Sequence, residues 1–157
     1  MCGNKCLLVT EILIENKILS LFNIHLTAGS YNPESLNSTK ERLTQIKEII
    51  SISNYYITRD TIPIILGDFN SGLIRSPKCY NYMLDNSFID THSYLNTDDI
   101  NFTWSPNNVK NSVHQNMAID KIDHLFYHNH NDKNINILES KIILYEKNIK
   151  INNNEYC

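Results

Sequence analysis

The nine residues "TIPIILGDF" (61–69) constrain the fold more than any other stretch of the chain. The apolar run from Ile62 to Leu66 is too short for a helix. Its continuity suits a strand buried on both faces, the kind that fills the middle of a layered α/β protein. It ends in Gly67, Asp68, Phe69 and Asn70, with Gly72 just beyond. A strand that ends this way delivers a carboxylate and a carboxamide to its own tip.

The flanking segments supply the other layers. "CLLVTEILIENKILSLFNIHL" (6–26) predicts two strands joined by an Asn-containing turn at 15–17, with His25 near the tip of the second. Leu43, Ile46, Ile49 and Ile50 recur at helical spacing, predicting an amphipathic helix from Ser38 to about Ile52, with Ser38 and Glu41 as its capping box. Residues 76–88 predict a short helix and 89–95 a connector. Residues 101–108 predict a strand running into a turn, 118–128 a strand with Asp123 inside it, and 134–147 a further strand or strand pair. Strands alternating with helices give the α/β class. No internal repeat or interdomain linker interrupts residues 6–147, which form one domain, and the Asn-rich residues 148–157 form a tail.

Composition removes several function classes. With a net charge of −3 and a pI near 6.0, the chain has no basic field to hold nucleic acid by charge alone. Four cysteines at 2, 6, 79 and 157 lack the spacing of a zinc site or a disulfide scaffold, and read as reduced thiols. No run of 18 apolar residues and no signal-peptide core occurs, so a soluble protein is expected; the reduced thiols suit an intracellular one, and a monomer is expected. Asn is so abundant, 23 of 157 residues, that a lone Asn carries little weight.

Asp68 and Asn70 share a face if the strand register persists past the glycine. A hard anionic oxygen beside a neutral amide suits Mg²⁺ near a phosphate, since that ion keeps most of its waters. The competing reading is a turn, which Asp, Asn and Gly all favour. His25 is either a ligand-facing imidazole or an ordinary surface or core one. Asp123, a carboxylate in an apolar strand, requires a partner, and Lys121 is the nearest. Trp104, the only Trp, is either a core or lid aromatic or a substrate contact. His92 and His114 read as surface residues.

Order and spacing add what single residues cannot. "NIHL", then Arg42 and Gln45 in a helix, then "ILGDFNS", "FTW" and "IDKIDHLF" together resemble the endonuclease/exonuclease/phosphatase superfamily over residues 6–147. That group includes pancreatic-type deoxyribonucleases, abasic-site endonucleases, inositol-polyphosphate 5-phosphatases and neutral sphingomyelinases. The resemblance implies a four-layer α/β sandwich and hydrolysis of a phosphoester, most simply a phosphodiester in nucleic acid or a phospholipid head group, with Mg²⁺ or Mn²⁺. It implies that Asp68 orients or deprotonates the attacking water and, with Asn70, holds the metal. Asn70 and Trp104 would contact substrate. His25 would contact the phosphate or protonate the leaving group, and Asp123 would pair with a second histidine.

Two parts of the family pattern are absent. Members carry an earlier strand pair with an Asn and a metal-binding Glu, and a closing Ser-Asp-His motif; this sequence shows neither, and Lys121 replaces the usual Arg. "DTH" at 90–92 and "DH" at 123–124 lie in the wrong segments to replace the closing motif. The expected protein is therefore a partial domain, either a truncated phosphodiesterase or a non-catalytic relative that binds phosphate groups or a partner.

Overall fold

The computed structural model describes residues 5–28, 36–96, 102–106, 118–129, 135–143, 149–151 and 154–156. Strand β1 (Leu8–Ile14) turns at Glu15, which adopts φ 54°, into β2 (Lys17–His25), so the predicted hairpin is present. Helix α1 (Leu36–Thr58) returns the chain to β3 (Ile62–Asp68), which pairs parallel with β2. Helix α2 (Pro77–Asp85), strand β4 (Phe88–Asp90), the short helix α3 (Thr91–Leu95) and strand β5 (Asp123–His128) complete the main body. The sheet order is β1-β2-β3-β5-β4.

One face of this sheet is packed. Phe22, Ile65 and Phe126 align across β2, β3 and β5, and all are fully buried against Ile46, Ile49 and Ile50 of α1 and Tyr80 and Met83 of α2. Period-two alternation sends Leu21, Leu66 and Leu125 to the other face. There Leu21 and Leu66 are half-buried and Leu125 is 42% exposed. One sheet with helices on one face makes two layers of an α/β sandwich. It also means that β3 is closed on one face and half-open on the other, rather than buried on both.

Several expectations require correction. Helix α1 begins at Leu36, so Ser38 and Glu41 lie inside it rather than at its start; its far end extends to Thr58 because Ser53 and Tyr56 continue the buried stripe. The predicted connector at 89–95 contains the end of β4 and all of α3. Of 101–108, only residues 102–106 are described, and Trp104 forms an isolated bridge to Asp120 rather than a strand. Residues 135–143 are irregular, not strand. Within 148–157, Ile149–Ile151 (β6) and Asn154–Tyr156 (β7) pair antiparallel.

Candidate active site

Three of the expected site residues meet at the open end of the sheet, on its half-open face. His25 and Asp68 are direct partners in the parallel β2–β3 register, and Asp68 faces Asp123 across the antiparallel β3–β5 register. His25 Nε2 lies 3.6 Å from Asp68 Oδ2. This convergence depends on Gly67. Its φ is +128°, and a Cβ there would sit 2.0 Å from the Ile24 carbonyl oxygen, so only glycine lets β3 lie against β2 one residue before Asp68.

Asn70 is close but differently presented. The strand ends at Asp68, and Asn70 adopts φ 47°, so the register that would aim both side chains alike does not persist. Instead Asn70 N–H donates to Asp68 Oδ1 at 2.7 Å, and its amide Nδ2 donates to the Leu26 carbonyl at 3.0 Å. The turn anticipated from Asp, Asn and Gly therefore forms, and its hydrogen bonds tie the ends of β2 and β3 together.

Asp68 has its pKa raised. Burial is the largest cause and the neighbouring Asp123 charge adds to it, while the Asn70 N–H, His25 and Arg75 oppose the rise. Asp123 itself is exposed, and Lys121 is not its partner. The Lys121 ammonium instead reaches Asp90 Oδ2 at 2.8 Å, because Lys121 precedes β5 and turns toward β4. The start of β5 is held by Thr103 Oγ1, which accepts the N–H groups of Ile122 and Asp123 at 3.1 Å each. Trp104 follows, half-buried, with the Arg75 guanidinium 4.8 Å from its ring centroid. Arg75 is a cation whose charge reaches Asp68. No local pattern marked it in the sequence.

Reading single residues missed a buried polar cluster beneath the site. Asp90 is only 3% exposed, yet it accepts the N–H groups of His92 and Ser93, the Tyr80 hydroxyl, Lys121 Nζ and His124 Nδ1. Burial alone would raise the Asp90 carboxyl, but His124 and Lys121 outweigh it and hold the group well below the usual carboxylate range. Burial is also the main reason the Tyr80 phenol is pushed up to about 12. His92, expected at the surface, is buried at the start of α3, where Asp90 caps the helix. His114 lies outside the described residues. Asp120 is buried as well, its carboxylate accepting from Ile74, Arg75 and Lys121 N–H groups.

The chemistry of the donor set suits a hard divalent cation. Two carboxylates, Asp68 and Asp123, face each other, with the Asn70 backbone N–H on Asp68, and like charges so placed are relieved by a cation. No group of three or more His, Cys, Asp or Glu side chains able to hold a metal occurs among the described residues. Asp68 and Asp123 alone would leave most of a Mg²⁺ ion's coordination to water.

Comparison with solved structures identifies the fold of the chain. SmcL superposes with a TM-score of 0.62 at 21% identity, over 80% of this chain and 43% of that one. Beta toxin from Staphylococcus aureus with bound magnesium ions gives a TM-score of 0.59 at 23% identity, over 82% and 44%. TDP2 from D. rerio complexed with a single-strand DNA product gives 0.60 at 18% identity, over 79% and 46%. The chain has the endonuclease/exonuclease/phosphatase fold of these proteins and spans less than half the length of each. No protein-family model and no curated protein sequence matches it. Among the described residues no helix is long and apolar enough to cross a membrane.

Proposed function

We propose that this chain carries part of a divalent-metal-dependent phosphodiesterase site. The observation that carries the reading is the in-register meeting of His25 and Asp68, 3.6 Å apart, with Asp123 opposite Asp68. The magnesium in the beta toxin structure and the DNA product in the TDP2 structure support the cation and the substrate class.

Asp68 and Asn70 would hold Mg²⁺ or Mn²⁺, with Asp123 as a further oxygen donor. When bound, the ion would neutralise charge on the phosphate oxygens. Asp68 orients the attacking water and accepts its proton, a role that its raised pKa favours. Water oxygen bonds to phosphorus, the bond to the leaving alkoxide breaks, and His25 delivers a proton to that oxygen or hydrogen-bonds the phosphate. Trp104, held against Arg75, offers an aromatic face and a nearby positive charge to the substrate.

A second reading, a phosphate-binding relative without turnover, is favoured by the small ligand set among the described residues. Hydrolysis of bis-p-nitrophenyl phosphate, a short DNA duplex and sphingomyelin with Mg²⁺ separates the two. Turnover that vanishes in Asp68→Ala supports the enzyme, whereas phosphate binding without turnover supports the module. Turnover unaffected by Asp68→Ala contradicts the site assignment.

A further inference from the structure

Beneath the site, a chain of buried contacts runs from Lys121 to the loop that presents Asn70. Lys121 Nζ lies 2.8 Å from Asp90 Oδ2, and the same oxygen is 2.9 Å from His124 Nδ1. On the opposite side of the ring, His124 Nε2 is 2.9 Å from the Ser71 carbonyl oxygen. A carbonyl only accepts, so Nε2 must carry a proton and donate. Ser71 follows Asn70 directly, and Phe69, which precedes it, packs edge-on against the His124 ring at 5.4 Å between centroids. The imidazole thus grips the Phe69–Ser71 turn by its edge and by its nitrogen at once.

The remaining side of the same loop is gripped by Asp120, which takes the N–H groups of Ile74 and Arg75. Gly72 lies between the two grips. A Cβ there would fall 2.2 Å from the Lys121 carbonyl oxygen, so the loop is pressed onto the 120–124 segment. Asn70 itself adopts the αL conformation, with φ 47°, which Asn tolerates in turns.

We propose that His124, oriented by Asp90 and Lys121, is a positioning residue whose bond to the Ser71 carbonyl sets the placement of the Asn70 amide. The value of that placement rests on the phosphodiesterase reading, but the placement itself is measurable without it. His124 is buried and acts through Ser71.

Amide hydrogen exchange followed by NMR tests this, with protection of the Asn70 N–H normalised to that of Ile65 in the middle of β3. His124→Phe retains the ring among Phe69, Tyr80 and Phe126 but removes both ring nitrogens. It should lower normalised Asn70 protection by about 10-fold, the equivalent of one lost hydrogen bond. His124→Gln restores a donor near the Nε2 position and should stay within about 3-fold of the original protein. If His124→Phe leaves normalised Asn70 protection unchanged, or if Gln loses as much as Phe, the positioning role is wrong. Mn²⁺ broadening of the Asp68 and Asn70 resonances is measured in the same samples. Its absence, with Asn70 protection still following His124 as stated, overturns the metal-dependent function and leaves the positioning role standing.

Discussion

Asp68 and Asp123 stand directly opposite one another in the β3–β5 ladder, two carboxylates on one face with His25 on the far side of Asp68. Like charges paired across a ladder are destabilising. A cation bound between them would relieve that repulsion.

Removing one charge should therefore ease the other. Asp68 has its pKa raised by burial and, in smaller part, by Asp123. A carboxyl whose folded pKa lies above its unfolded value, about 3.9, lowers stability as pH rises from that value through the folded one. Asp123→Asn should shift the Asp68 carboxyl downward and shrink this loss of stability. Carboxyl ¹³C titration by NMR reads the shift directly; an unchanged Asp68 midpoint would show that the two do not interact.

Gly67→Ala should be among the most damaging single-methyl additions in the chain. The new Cβ would sit 2.0 Å from the Ile24 backbone oxygen at a φ of +128°. The conformational strain alone is worth about 1–3 kcal/mol, and the steric overlap adds to it. Urea unfolding gives the magnitude, and a change below about 0.5 kcal/mol would mean that β2 and β3 are not so closely joined.

Asp90 makes a further test of the buried cluster. Asp90→Ala leaves Lys121 and His124 without their shared anion and should cost about 3–5 kcal/mol. Because the folded pKa of Asp90 is depressed, its stabilisation is complete above the unfolded value of about 3.9 and is lost as pH falls below it. The stability difference between the original protein and the variant should accordingly be flat near neutrality and narrow under acid. Denaturation at a series of pH values checks both the size and the direction.

The hairpin and β3 were legible because short apolar runs bounded by turn residues leave few alternatives. His25 and Asp68 followed from those runs, since parallel neighbours bring equivalent strand ends together. Asn70 was only half legible: period two predicts orientation within a strand, and β3 stops two residues earlier. The pairing of Asp90 with His124 spans 34 residues and joins the ends of two elements, so no local pattern reports it. One signal did exist. Alternation in "DHLFYH" sets His124 on the same face as the core residue Phe126, and a buried histidine needs an acid within reach.

The last prediction concerns turnover. With two facing carboxylates as its acidic donors among the described residues, the chain should bind Mg²⁺ only weakly, because that ion demands near-octahedral geometry and surrenders its waters reluctantly. Hydrolysis of bis-p-nitrophenyl phosphate should be slow, abolished by a chelator and restored by excess Mg²⁺ or Mn²⁺. Asp68→Ala should lower whatever rate remains by about 10²–10⁴-fold, the usual worth of a positioned general base. His25→Ala should fall in the same range if the imidazole protonates the leaving oxygen, and its effect should shrink with a leaving group as acidic as p-nitrophenol. Micromolar Mg²⁺ affinity for the chain alone by calorimetry, or brisk hydrolysis indifferent to both Asp68→Ala and a chelator, would place the chemistry elsewhere.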